Sequence, residues 1–245
     1  MKKVFTKAFL GICALGTSAV AFAQDAAAPV AEQSFHQALK IKFIEGSADF
    51  MSLVAIALIL GLAFVLERII YLNLADTNPD KLLKGIEAAL DKGDVEAAKA
   101  IARDTRGPIA SIFYQGLLRI DQGIDVVEKS VISYGGVQGG LLEKNLSWIT
   151  LFIAMAPSLG FLGTVVGMIM AFDKIEQVGD ISPTVVAGGM KVALITTVGG
   201  LVVALILQIF YNYLLSKLEA ILNKMEDASI SLLDFVIKYN VKYNK

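Results

Sequence analysis

The chain has 245 residues, 56% of them hydrophobic, and its 22 Lys and Arg nearly balance 23 Asp and Glu for a net charge of -1. Its mean hydropathy of +0.64 lies well above that of soluble domains. The balance of charge argues against nucleic acid and against a strongly acidic partner, and the hydropathy points to a membrane protein.

In chain order, Lys2, Lys3 and Lys7 make a basic start, and Phe9 to Val20 is a short apolar core. Ala21-Phe22-Ala23 is an A-x-A cleavage site. Residues 1–23 therefore read as a secretory signal peptide, the apolar core being too short to span a bilayer, with an uncleaved anchor as the alternative. The single cysteine, Cys13, lies in this segment, so a cleaved chain carries no thiol. Residues 24–49 read as a periplasmic segment. Its lone His36 has no second metal ligand nearby.

Three stretches are long and apolar enough for a core that needs roughly 20 residues of helix. Phe50 to Leu66 is uncharged between Asp49 and Glu67, placing a first span over 50–72. Asn145 to Phe172 is uncharged between Lys144 and Asp173, placing a second over 146–172, and 173–183 reads as a short outer loop. The third, over 184–215, is interrupted only by Lys191. Between the first two, residues 73–145 read as a polar helical domain. Asn78-Pro79 starts a helix, "DKGD" at Asp91 to Asp94 is a turn with Asp94 as cap, and Gly107-Pro108 is a break. Ile109 to Ile120 and Ile124 to Tyr134 follow as further helical pieces. "GGVQGG" at Gly135 to Gly140 lacks a preceding strand and a Gly-Lys-Ser/Thr ending, so it reads as a hinge or close helix contact and not as a phosphate loop. Residues 216–245 form a helical tail. The fold class is thus all-α, a polytopic membrane protein with three spans.

Ten Lys and Arg lie between Arg68 and Lys144 and five more in the tail, against Lys40, Lys42 and Lys174 on the other side. The positive-inside rule then puts 73–145 and the tail in the cytoplasm and the mature N-terminus in the periplasm, in the inner membrane. Trp148, Tyr71, Tyr211 and Tyr213 sit where interfacial aromatics anchor a span.

Small residues mark the second and third spans. Gly160, Gly163 and Gly167 share one helical face with Thr164; Gly189, Ala193, Thr197, Gly200 and Ala204 share another. Such stripes let helices approach closely. Thr164 lies about 12 Å below Phe172 and Thr197 about 20 Å below Thr184, so both fall near mid-membrane. Each hydroxyl either bonds its own helix carbonyl or joins a polar ring around a guest helix. Lys191 is roughly 120° around the helix from Thr197. A cation in a span faces protein or water, and the reading preferred here has it snorkel to Asp173, Glu176 or Asp180 in the outer loop. A partner carboxylate and a titrating lysine are the alternatives. No nucleophile–base pair or metal cluster is visible, which argues against enzyme chemistry and for no cofactor.

"APSLGFLGTVVGMIMAF" at Ala156 to Phe172, a short loop, "GGMKVALITTVGGLVVA" from Gly188 and Tyr211-Asn212 resemble the MotA/TolQ/ExbB proton-channel family, nearest its ExbB branch. "GD" at Gly93-Asp94 and "GP" at Gly107-Pro108 extend the resemblance back to about Leu82. It implies a homopentameric ring around two copies of an ExbD-like single-helix protein bearing a membrane aspartate, coupled to TonB and outer-membrane import. It also implies that Thr164, Thr197 and, less firmly, Thr196 line the proton path. The family's glutamate before "AL" is replaced here by Val192. A TolQ-like subunit of the Tol envelope system and a non-conducting scaffold are the competing readings; a solute transporter is disfavoured because no inverted repeat is present.

Overall fold

In a computed structural model the described residues are 35–179 and 183–243. The signal-peptide reading, residues 24–34 of the segment after it and Asp180 lie outside them. The chain divides into two compact units after Ile44. Of the first, the described part is helical and belongs to α1 (Phe35–Glu45), whose last residue falls in the second unit. The described residues contain helix and no strand.

In the second unit α2 (Ala48–Ala75), α7 (Leu146–Val178) and α8 (Pro183–Tyr243) are long and apolar enough to cross a membrane. Each buries one stripe at helical spacing. On α2 it is Val54, Ala57, Gly61, Val65, Arg68 and Leu72; on α7 it runs from Ile149 through Ala156, Gly160, Gly163 and Gly167 to Ala171. The other faces carry exposed Ile, Leu, Val and Phe, such as Ile59, Phe161, Ile169, Leu194 and Leu205, as a bilayer requires. The α7 helix passes through Pro157, which leaves the carbonyl four residues earlier without its helical donor. It continues to Val178 and stops at left-handed Gly179, so most of the stretch expected as loop from 173 is helical. A residue that needs φ of +72°, not the end of the apolar run, sets the stop.

Short helices build the domain at the other end of the bundle. These are α3 (Asp80–Asp91), α4 (Val95–Asp104), α5 (Pro108–Leu117), a 3-10 turn (Ile120–Gln122) and α6 (Ile124–Glu143). Asp94 caps α4 by accepting from the Ala97 N–H at 2.9 Å. Gly107, at φ +121°, is pinned beside the Thr77 side chain, and Pro108 opens α5. The glycine-rich 135–140 stretch is neither hinge nor loop; it lies inside α6, where helical hydrogen bonds continue through it. The break comes later, at left-handed Asn145 between α6 and α7.

The far half of α8 organises this domain. Leu214, Leu218, Ile221, Met225, Ala228 and Leu232 are buried at alternating steps of four and three, a coiled-coil spacing. They share a core with Ile86 and Leu90 of α3, Phe113 and Leu117 of α5, and Val127 and Val131 of α6. Polar ties fasten the same helix. Lys224 reaches Asp76 at 2.6 Å, and Lys242 and Tyr243 both donate to the Asp91 carbonyl.

Candidate functional site: a hydroxyl pair in a small-residue helix contact

The glycines of α7 and α8 face each other within one chain. A Cβ on Gly160 would stand 2.9 Å from the Thr196 carbonyl oxygen, one on Gly163 2.8 Å from Thr196 Cβ, and one on Gly167 3.2 Å from the Ala193 nitrogen. From α8, Gly200 is pressed against the Ala156 carbonyl and Gly189 against Ala171. Ala156 and Ala171, absent from the stripes expected from the sequence, thus complete the seam. On α8 the buried line is Ala193, Thr196 and Gly200 followed by Val203, rotated by one residue from the expected stripe through Thr197 and Ala204.

That rotation separates the two adjacent threonines. Thr196 is fully buried at the centre of the seam, and its hydroxyl donates to the Ala193 carbonyl at 2.8 Å. Thr197 is half-buried at the edge, hydroxyl to hydroxyl with Thr164 of α7. The pair also lies against two backbone carbonyls. Thr164 Oγ1 is 3.3 Å from the Gly160 oxygen and 3.2 Å from that of Ala193, and Thr197 Oγ1 is 3.2 Å from Gly160 O. Thr164 thus meets its own helix carbonyl and the opposite hydroxyl together, while Thr197 bonds across the seam.

The chemistry of this cluster is limited and specific. Two hydroxyls hold two protons, and the carbonyls and each other give them more than one acceptor, so the bonds can be exchanged without leaving a group unsatisfied. Neither hydroxyl can store a net proton near neutral pH. Beyond the pair, towards the α7–α8 connection, a cleft of about 520 Å³ opens between the two helices, lined by Gly167, Met170, Ala171, Lys174, Thr184 and Val192 among others. Val192 is apolar, and Lys174 is the ionisable residue in the lining.

Lys191 lies elsewhere. Its Nζ pairs with Glu45 Oε1 at 2.7 Å, not with Asp173 or Glu176, two of the carboxylates to which it was expected to snorkel. Being rotated away from the threonine edge, Lys191 points to the α2 side of α8, where Gly199 meets Met51 and Gly61 meets Leu207. Glu45 sits just before the start of α2 on that side. Asp173 is carried outward on the continuing α7 helix, and Asp180 lies outside the described residues.

A second polar cluster went unread in the sequence. Arg68, only 3% exposed, forks onto Glu67 with Nε–Oε2 at 2.6 Å, donates to the Leu142 carbonyl at 3.5 Å and stacks on Tyr71. Asn145 Nδ2 donates to Glu67 at 3.4 Å. The α2 helix is thereby tied, about two turns before its end, to the α6–α7 joint, and Trp148 reinforces it by stacking on Phe64 with centroids 5.9 Å apart. The available signal was Arg68 itself, a guanidinium two residues beyond an uncharged span.

The fold and seam define a polytopic α-helical membrane protein whose second and third spans meet through small residues and one hydroxyl pair. Residues 104–227, half of the chain, match the model of the MotA/TolQ/ExbB proton channel family, and the chain belongs to that family. It is 29% identical over 176 residues to a putative biopolymer transport protein ExbB homolog of Methanothermobacter thermautotrophicus, covering 71% of this chain and 62% of that protein. It is 36% identical over 78 residues to a biopolymer transport protein ExbB of Aquifex aeolicus, covering 32% and 53%. An ExbB-like protein of Synechocystis is 25% identical over 158 residues, covering 63% and 74%. The chain thus spans less than two thirds of the first two relatives. The matched segment contains the whole α7–α8 seam and both threonines.

Proposed function

We propose that this chain is the ring-forming, ExbB-like subunit of an inner-membrane motor that converts proton flow into work for outer-membrane import. It assembles as a homo-oligomer, a pentamer as the family implies, around an ExbD-like single-helix protein, and passes force through a TonB-like protein. The observation that carries this reading is the Thr164–Thr197 pair, half-buried at the edge of the seam in the part of the chain that matches a proton channel family. The chain's own α7 and α8 offer no carboxylate between Lys144 and Asp173 or between Pro183 and Lys217. The titrating group then has to come from the partner helix, and the hydroxyls orient it and accept or donate one hydrogen bond as it changes charge. The positive-inside bias of the sequence supports a cytoplasmic α3–α6 domain and α8 tail. That orientation puts the cleft beside Lys174 at the periplasmic entrance.

The experiment is energised import in cells relying on this chain with an ExbD-like and a TonB-like protein. Import that stops on adding a proton uncoupler and in the Thr164→Val and Thr197→Val variants, with the complex still assembled, is the expected result. A scaffold that only gathers partners predicts that both variants import normally, and that result would overturn the proposal.

A further inference from the structure

The domain below the membrane bundle leaves two unlike helix faces uncovered. On α6, Lys129, Ser133, Gly136 and Gly140, with Lys144 just past its end, follow one another at steps of four, three, four and four, on the side away from the buried Val127, Val131 and Leu142. Added Cβ atoms on Gly136 and Gly140 would meet nothing within 4 Å. Val126, Val137 and Leu141 are exposed beside them, and a groove of about 390 Å³ between α5 and α6 adds Arg119 to Lys129. The strip is basic at its ends, with small and apolar residues between them.

The far half of α8 carries the complement. Opposite its buried heptad stripe, the exposed line is Glu219, Asn223, Glu226 with Asp227, Ile230, Asp234, Ile237 and Val241. Ile230, Ile237 and Val241 are 56%, 46% and 73% exposed in the single chain, more apolar surface than a solvated helix face carries. Its acids are not spoken for by the ion pairs of the fold, which engage Lys217 and Lys224 with Asp76 instead. Because α6 and α8 bury their other sides in one shared core, these two faces point away from each other.

Depth decides whether they can meet. The two helices run antiparallel in the chain, with Gly139 against Leu222 and Gly116 bridging Val131 to Leu232. Those contacts put Lys144 at the level of Glu219 and Lys129 at the level of Asp234. A ring whose axis is the membrane normal keeps every residue at its own depth in every copy. In such a ring a neighbour's Lys129 is level with Asp234, and its Lys144 with Glu219. Both separations are fifteen residues, about 22 Å of helix, so both pairs can form together.

We infer that the Lys129–Lys144 face of α6 docks on the Glu219–Asp234 face of α8 in a second copy of this chain. The contact is heterologous, with different patches on the two copies, and such a contact repeats around an axis until it closes. Glycines let the helices approach, the exposed isoleucines fill the α5–α6 groove, and the ion pairs set register more than affinity. The inference rests on the proposed ring and adds the surface that joins its members.

The test uses full-length chains with Cys13→Ser as background, carrying two different tags and co-expressed in membranes. One chain carries Lys129→Cys and the other Asp234→Cys, and a short bis-maleimide links thiols that lie close together. A doubly tagged dimer is expected for this pair and for Lys144→Cys with Glu219→Cys, and is expected to be absent for the depth-mismatched pair Lys129→Cys with Glu219→Cys. In the otherwise unaltered chain, Lys129→Asp should lower the yield of the ring and Asp234→Lys on the same chain should restore it. The native mass of the unaltered complex is measured alongside. An intact ring in which the matched pairs fail to link, or link no better than the mismatched pair, overturns this contact and leaves the ring standing. A monomeric native mass overturns both.

Discussion

Gly163→Ala adds one methyl group in the middle of the close α7–α8 seam. Its Cβ would stand 2.8 Å from both Cβ and Oγ1 of Thr196, a fully buried residue whose hydroxyl is held by the Ala193 carbonyl. Thr196 cannot swing away without losing that bond, so the helices have to part by roughly 0.6 Å to reach ordinary contact. The same retreat stretches the two 3.2 Å contacts that cross the seam, Thr164 Oγ1 to Ala193 O and Thr197 Oγ1 to Gly160 O, to about 3.8 Å, too long for hydrogen bonds. Overpacking of this kind costs about 1–3 kcal/mol, while glycine to alanine within a helix returns roughly 0.5–1 kcal/mol. Gly188→Ala is the matched control, since its Cβ meets nothing within 4 Å. Thermal unfolding of the detergent-solubilised protein should place Gly163→Ala below the unaltered chain and Gly188→Ala at or above it. Gly200→Ala, pressed on the Ala156 carbonyl, should fall lower still. Equal melting of Gly163→Ala and Gly188→Ala would refute a backbone-close seam.

Thr197→Val keeps the shape at the seam edge and removes hydrogen bonds that average about 0.6 and reach about 1.7 kcal/mol within membranes; unfolding should shift only slightly while proton-driven import is lost. Lys191→Met and Glu45→Gln each break the same exposed pair, so each should cost less than about 1 kcal/mol, and the double variant should cost no more than either single, a non-additivity read in a double-mutant cycle. Lys191→Met that assembles fully yet passes no protons would assign the lysine to the conduction path instead. Arg68→Met leaves Glu67 and the Leu142 carbonyl without their cation at the α6–α7 joint. A loss on the order of 2 kcal/mol, moderated by the exposure of Glu67, should appear in the same melting assay.

The long helices were legible because their signals are local. Twenty apolar residues between charges need no knowledge of the rest of the chain, and the Asp94 cap and the Pro108 start follow from neighbouring residues alone. The glycines of the seam were legible as a stripe, but its rotation was not. Whether Thr196 or Thr197 occupies the centre depends on how α7 crosses α8, and two adjacent residues look alike until that crossing is known. Lys191 shows the same limit more sharply. Its depth and angle could be read from helix geometry, while its partner, Glu45, lies 146 residues earlier in the chain. Arg68 was read as a marker of orientation because only the fold brings the Leu142 carbonyl to it. Of the two readings of the glycine run at 135–140, the close helix contact is present, with Gly139 against Leu222, and the hinge is not. The run's composition suggests a break, but α6 is supported along one side by α5 and α8, and tertiary packing overrides weak helix propensity.

The central claim is that the hydroxyl pair serves a proton path completed by a carboxylate from another chain. It is tested most directly by proton flux into vesicles containing this protein, alone and with an ExbD-like partner, under an imposed pH gradient and membrane potential. No flux is expected with this chain alone, flux with the partner, and loss of that flux on changing either the partner's membrane aspartate to asparagine or Thr197 to valine here. Flux from this chain alone, or undiminished flux with Thr197→Val in the full complex, would contradict it.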